Sequence, residues 1–352
     1  MNRVELLDAM KCASGALALR DDAPAFASFF FDGERICAYG DEVAITTRCK
    51  FPVQGGIIGK VMLAWTGACD GAEVESECTD GEATLRCGRS TITLPLLPSD
   101  QLLYESPQAG AGISFNAPFG LLAAIERCGS YIGDDPTHPW RMGLTLSYKD
   151  GTFDLHSTTD AVLVRAYAND EEDDKGDYAY ETILPERFVS LLLQRAQTDS
   201  LAAIRVGVGW VEATFEDDNT IFTKTMSESN SSAYEDIMKQ LFDKVTFVEV
   251  ESVVPSLLFM LERVAKVGAA TGQDRAVLEV LGHSLLVTLS GGSASLLDSL
   301  PFPGDHKSIK VEIMPSSMLP ILPHVKEMAV TDRAVLLAGS GFDVAVAALV
   351  VK

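Results

Sequence analysis

Three stretches of the chain share one spacing of apolar and polar positions. They are Leu6-Leu7-Asp8-Ala9-Met10-Lys11, Leu121-Leu122-Ala123-Ala124-Ile125-Glu126-Arg127 and Leu257-Leu258-Phe259-Met260-Leu261-Glu262-Arg263. Each opens with a Leu pair, places another apolar side chain three or four positions on (Met10, Ile125, Leu261), follows it within two positions with a basic residue, and then reaches a glycine (Gly15, Gly133, Gly268). That spacing predicts a helix with one buried face and one basic face. Its recurrence predicts a chain made of three copies of one unit.

The flanking segments repeat in the same order. After the first helix, runs at 26–31, 36–41 and 43–47 are broken by Asp32-Gly33, which predicts hairpin strands. Residues 57–65 turn into a second helix, strands follow at 74–78, 83–87 and 90–94, and Pro95, Pro98 and Pro107 mark a linker. The second copy has a strand at 113–115, a helix from Phe119 to Ile132, a hairpin at Asp150-Gly151 and a helix entered at Pro185-Glu186-Arg187. Its closing strands lie at 203–214 and 220–225, and the Ser/Asn-rich 227–232 leads into a linker. The third copy has a strand at 247–250, the Leu257 helix, strands at 276–280 and 285–289, and a second-helix entry at Ile313-Met314-Pro315-Ser316. Thr79-Asp80 with Leu85, Ile92 and Leu94 maps without a gap onto Thr331-Asp332 with Leu337, Val344 and Val346. The expected architecture is α+β, with tandem pseudo-repeated domains at 1–108, 109–240 and 241–352, each placing two helices against antiparallel strands.

A hydrophobic share of 47% with 22% charged residues is the balance of a soluble globular chain. The first residues lack the apolar centre of a signal peptide, and the apolar run 344–351 is too short to span a bilayer, so the reading is cytoplasmic with no membrane partner. Seven cysteines, all within the first 128 residues, show neither CxxC pairs nor Cys/His metal spacing, which fits buried thiols and no metal. A net charge of -22 would repel a polyanion, so the placement of the positive charge matters more than the total. The six expected helices carry nine basic residues (Lys11, Arg20, Lys60, Arg127, Arg187, Arg195, Arg263, Lys266, Lys326) against six acidic ones, which leaves the acid on strands and loops.

Catalysis has no visible set of residues. The five histidines are scattered singly. Gly291-Gly292-Ser293 and Gly339-Ser340-Gly341 lack the Lys-Ser/Thr of a phosphate loop and read as strand turns. The acidic run 170–174 reads as a solvated insertion. No cofactor is implied, and the chain is not expected to be an enzyme.

Taken in this order, the pattern resembles the bacterial DNA polymerase III beta sliding clamp family, as a divergent or phage-type member. The resemblance covers the whole chain. Its more specific parts are Ser14-Gly15 followed by Arg20, the Asp-Gly hairpin leading to Thr159-Asp160, and Tyr234-Glu235-Asp236-Ile237 where the family has a Phe-Pro-Asp-Tyr linker. The resemblance implies a DNA clamp fold with the helices on the inner face of a ring made by two chains joined head to tail. Twelve helices, each about 10 Å across, would trace a circle of about 38 Å and leave a hole of roughly 28 Å, enough for a duplex about 20 Å wide.

It also implies sequence-independent binding of double-stranded DNA, with Lys11, Arg20, Arg127, Arg187, Arg195, Arg263, Lys266 and Lys326 facing the duplex. Partners implied are a DNA polymerase and a clamp loader, held through a short peptide in an apolar pocket. Carried over by position, that pocket comprises Thr159, Leu163, Val164, Leu241, Phe242, Val344, Val346, Ala347 and Leu349. The family's Asp-Gly-His-Arg-Leu is here Asp160-Ala161-Val162-Leu163-Val164, and its Met-Pro is Ala347-Ala348, so the pocket would be more aliphatic. The joint between chains is expected near 69–79 and 271–278. A clamp-like decoy that binds replication proteins without encircling DNA is the alternative reading.

Overall fold

The computed structural model describes every residue except 19–22, 41, 109, 119, 170–178, 227–230, 292–293 and 348–352. The first expected helix forms as α1 (Arg3–Ser14). The Asn2 side-chain oxygen accepts from the backbone N–H of Val4 at 2.8 Å and of Glu5 at 3.4 Å, satisfying donors that have no partner within the first turn. Leu6, Met10 and Ala13 then fall on one buried face. Strands β1 (Ser28–Asp32), β2 (Arg35–Tyr39), β3 (Val43–Arg48) and β4 (Gln54–Ile58) follow, then α2 (Gly59–Ala68), β5 (Glu75–Thr79), β6 (Glu82–Cys87) and β7 (Ser90–Pro95).

The second copy runs β8 (Ile113–Asn116), α3 (Leu121–Gly129), β9 (Gly143–Lys149), β10 (Thr152–Thr158), β11 (Val162–Asn169), β12 (Tyr180–Pro185), α4 (Glu186–Ala196), β13 (Leu201–Gly207), β14 (Trp210–Phe215) and β15 (Thr220–Lys224). A further helix, α5 (Ser231–Phe242), precedes β16 (Val248–Glu249) and α6 (Val254–Thr271). The chain closes with the long strands β17 (Ala276–Gly291) and β18 (Ala294–Ile313), then β19 (Val325–Val330), β20 (Ala334–Gly339) and β21 (Phe342–Ala347).

Two expectations about helices are corrected. The segment entered at Ile313 is not an α-helix but two short 3-10 turns, Pro315–Ser317 and Leu322–His324. Pro315, Pro320 and Pro323 explain this, since each lacks the donor that a helix interior needs and its ring clashes with the carbonyl four residues back. Lys326, placed on that helix from sequence, lies on β19 instead. Conversely, the stretch read as a linker is helical. Tyr234 and Met238 are buried, Leu241 and Phe242 are half-buried, and Glu235, Asp236, Lys239 and Gln240 face outward, which is an amphipathic stripe.

By contacts the chain groups into two compact units, Met1–Ala117 with Arg187–Thr225, and Pro118–Glu186 with Met226–Lys352. Residues 109–240, expected as a middle domain, contribute to both. Each unit contains an eight-stranded sheet built on the same plan. In the first unit the order is β4-β1-β2-β3-β15-β14-β13-β8, and in the second it is β12-β9-β10-β11-β21-β20-β19-β16. The two halves of each sheet meet antiparallel, through pairs such as Ile45↔Ile221 in one and Val164↔Val344 in the other. The first unit also holds the three-stranded sheet β5-β6-β7, and the second the ribbon β17-β18.

The repeat is legible in the pairing. Glu82 corresponds to Ala334 and Pro95 to Ala347, an offset of 252 at both ends, and the hairpin pairs Cys87↔Ser90 and Gly339↔Phe342 coincide under it. The segment before each first helix pairs with the strand after the second-helix position: Asn2↔Glu73, β8 with β13, and β16 with β19. Even single bridges recur, Leu97 with Gly56 and Met226 with Ile183. Gly55 is required where the first of these forms. Its φ is +128°, and a Cβ there would lie 2.4 Å from the Leu97 carbonyl oxygen.

Candidate nucleic-acid and partner interfaces

Among the described residues, the six α-helices, counted with their observed bounds, carry nine basic residues (Arg3, Lys11, Lys60, Arg127, Arg187, Arg195, Lys239, Arg263, Lys266) and seven acidic ones. The helices are therefore net positive by two while the chain as a whole is -22. The charge asymmetry survives the correction of the elements, but the structure divides the basic side chains into two kinds.

Several arginines are engaged within the fold. The Arg187 guanidinium donates to the Gly15 carbonyl at 2.9 Å and the Leu17 carbonyl at 2.8 Å, closing the C-terminal end of α1. Arg195, 22% exposed, pairs with Asp199 at 3.2 Å and with Asp217. Arg127 donates to the Ser340 carbonyl at 3.1 Å and lies over the Phe342 ring, 4.9 Å from its centroid. Gly339 ends β20 and Ser340 and Gly341 form the β20–β21 turn, as the strand-turn reading expected, whereas Gly292 and Ser293 of the other glycine stretch lie outside the described residues. Arg263 pairs with Asp298 and lies 5.3 Å from the Phe259 ring centroid.

The lysines are freer. Lys11 and Lys266 have side chains 63% and 81% exposed, and their partners Asp8 and Glu262 stand at 3.8 and 3.9 Å on the same helices. Such exposed pairs hold their heads weakly. Lys60 and Lys326 are exposed. Arg20 lies outside the described residues.

In the first unit, α1 and α4 flank a cleft of about 310 Å³ whose lining includes Lys11, Cys12, Leu191 and Arg195. Burial raises the Cys12 thiol, with the Arg195 charge opposing. The cleft carries one exposed cation beside a neutralised one.

The expected pocket residues fall on two faces of the second unit's sheet, because side chains alternate along a strand. Ser157 donates to the Cys128 carbonyl of α3 at 2.6 Å and sits opposite Val164, so Val164 faces α3, as does its partner Val344. Val346, two residues on, shares that face. All three are fully buried there. Leu163 points the other way. It joins Tyr234, Met238, Ala329, Ala334, Leu336 and Ala345 in an apolar cluster, with Leu241, Phe242, Trp140, Val245 and Phe247 packed against it. Ala347 pairs with Ala334 and is exposed. Thr159 sits at the turn, its hydroxyl accepting from the Ala161 and Val162 N–H groups at 3.3 and 3.1 Å. Leu349 lies outside the described residues.

Residues that sequence reasoning missed complete this surface. Trp140 meets Tyr234 edge-on with centroids 5.4 Å apart, the Arg141 guanidinium lies 5.1 Å from the Trp140 ring, and His156 stacks on Tyr234 at 5.6 Å. His156 is buried, which lowers its pKa, while Asp154 with its Oδ1 3.3 Å from Nε2 pulls the other way. Burial raises the Tyr234 hydroxyl. The 234, 238, 241 spacing of α5 is a signal for Tyr234 alone among them, since Trp140, Arg141 and His156 stand on other elements.

No family model matches the sequence, and no curated protein sequence matches it significantly. Solved structures do. The DNA polymerase III beta subunit from Thermotoga maritima superposes with a TM-score of 0.80 at 17% identity, covering 100% of this chain and 99% of that one. The sliding clamp from Bacillus subtilis gives 0.85 at 13% identity, covering 100% and 98%. The beta clamp of Helicobacter pylori, solved with a DNA ligase peptide, gives 0.82 at 14% identity, covering 100% and 99%. The chain has the clamp fold over its whole length.

Proposed function

We propose that this chain is a DNA sliding clamp, a processivity factor that encircles duplex DNA and tethers a DNA polymerase and other DNA-acting partners. The observation that carries the reading is the joint that occurs twice in one chain. The third strand of one half-unit pairs with the last strand of another, β3 with β15 and β11 with β21. The same rule leaves β7 and the corresponding stretch of β18 as the remaining partners, and each ends its sheet. A second copy of the chain can satisfy both, head to tail, and so close a ring of two. The joint then falls at β7 and β18 and not at the segments 69–79 and 271–278 expected from sequence. The repeat supports domains at about 1–108, 109–240 and 241–352.

In this reading DNA contact is electrostatic and independent of sequence, carried by the exposed Lys11, Lys60 and Lys266 and assisted by Arg263. Arg187 closes the end of α1, which presents Lys11, while Arg195 and Arg127 are engaged by Asp199, Asp217 and the β20–β21 turn. Polymerase and loader peptides would dock where Leu241 and Phe242 of α5 meet Leu163, with Thr159, Ala347 and Trp140 at the margin. No step is catalytic, and the chain acts in the compartment that holds the replicating DNA.

Light scattering on a sizing column tests the ring, since a head-to-tail pair has twice the 37.8 kDa chain mass. A dimer that persists on dilution and lengthens the products of its cognate polymerase is the expected result. A strict monomer that stimulates no polymerase would overturn the proposal and leave the decoy reading.

A further inference from the structure

Phe259 of α6 is 64% exposed, whereas Val254, Leu257, Met260, Leu261 and Val264 on the same helix are buried. The core does not hold this ring. Nor does the repeat require one, since aligning the three Leu pairs sets Phe259 against Asp8 of α1 and Ala123 of α3. Phe259 lies on the outward stripe of α6, with Ser256 three residues before it, Arg263 four after and Lys266 seven after, all of them exposed. The Arg263 guanidinium stands 5.3 Å from the ring centroid and is tied to Asp298 of β18, so ring and cation are held side by side. Beside them opens a cleft of about 360 Å³ whose lining also includes Ser256, Met260, Ser299 and Leu300. That volume is within the range of small-ligand clefts, about 300–1,000 Å³.

We propose that Phe259 and Arg263 form a stacking platform for one unpaired base of single-stranded DNA. A nucleotide offers a flat aromatic base joined to an anionic phosphate; the ring takes the first, and Lys266, with its side chain 81% exposed, takes the second. Paired bases do not qualify, because in a duplex each base is already stacked between its neighbours. The ring therefore distinguishes single-stranded from double-stranded DNA, which exposed lysines alone cannot do. The Ser256 and Ser299 hydroxyls, each both donor and acceptor, can meet any base edge without selecting one. The cations on the same stripe favour a nucleotide over an aliphatic protein side chain as the occupant, since the latter brings no charge for them to meet. The inference rests on the clamp reading in one respect: α6 then faces the DNA, and the platform holds the chain where a duplex passes into a single strand.

The test measures fluorescence anisotropy of two labelled probes with the full-length chain at low salt, an oligo-dT of about 16 nucleotides and a duplex of the same length. The parent is expected to bind oligo-dT, and Phe259→Ala to weaken that binding by about tenfold, the worth of one base stacked on an aromatic ring, while duplex binding is unchanged. Phe259→Trp keeps the platform and reports on it directly. Its added indole emission, read as the difference from a parent that holds Trp65, Trp140 and Trp210, should be quenched by oligo-dT and not by the duplex. Because Phe259 is exposed, both variants should keep the parent's urea midpoint. A parent that does not bind oligo-dT would overturn the proposal, as would an Ala variant that binds it equally well or loses both probes alike. Oligo-dT binding that depends on Phe259 in a monomer that stimulates no polymerase would retire the clamp reading and keep the platform. A dimer that stimulates its polymerase and binds oligo-dT without regard to Phe259 would do the reverse.

Discussion

Replacing Arg187 with Ala separates a helix-closing arginine from a DNA-facing one. Its guanidinium makes two charge-assisted hydrogen bonds, to the carbonyls of Gly15 and Leu17. A hydrogen bond to a charged group contributes about 1.5–3 kcal/mol. Both bonds here leave one nitrogen, and the side chain and both carbonyls are only half-buried, so water recovers part of the loss. The expected cost of Arg187→Ala is therefore about 2 kcal/mol, less than two full bonds and near the lower end for a single one. Arg187→Lys keeps the charge but not the planar reach that sets one nitrogen between both carbonyls, and should recover about half of that. The assay is urea unfolding followed by circular dichroism, with the earlier transition read separately because the chain has two contact units. Alongside it, DNA affinity measured by fluorescence anisotropy against salt should keep its slope, since the guanidinium is already occupied. A variant within about 0.5 kcal/mol of the parent whose salt slope falls by about one unit would refute the reasoning, because Arg187 would then be contacting phosphate.

The exposed lysines should behave in the opposite way. Lys11→Ala with Lys266→Ala should leave urea midpoints unchanged and lower the slope of log affinity against log salt by about 1.8, at about 0.9 per phosphate released. Met238→Ala, which empties a buried position under α5, should cost about 2–4 kcal/mol by unfolding and weaken capture of a polymerase-derived peptide in a pull-down. For His156 the folded pKa lies below the ordinary value, so the unfolded chain binds the extra proton. Stability is then full above about pH 6.5 and falls as pH drops below it, and His156→Phe should flatten urea midpoints measured from pH 7.5 to 5.5.

The short-range half of this protein was decided by its sequence. Leu6, Met10 and Ala13, or Val254, Leu257, Leu261 and Val264, bury one helical face whatever surrounds them, since 3.6-residue spacing makes a stripe. The repeat of one segment was equally legible, because the match of Thr79 to Thr331 carries through Leu94 to Val346 without a gap, and backbone pairing follows side-chain alternation. The same alternation set a trap in the candidate pocket. Position alone gathered Leu163 with Val164 and Val346, whereas the pleat sends Leu163 to α5 and the two valines to the α3 side.

Tertiary structure decided the rest. A count of basic residues on helices cannot show that Arg187 is spent on two carbonyls or Arg195 on two aspartates, because those partners stand at Gly15, Leu17 and Asp217, far along the chain. Nor could pairing be read for β3, whose partner β15 arrives more than a hundred residues later, since strand register is set by whichever edge the completed core presents. Helical spacing and turn residues act within a few positions and are written in the chain itself. Which charge remains free, and which edge remains open, are properties of the folded neighbourhood.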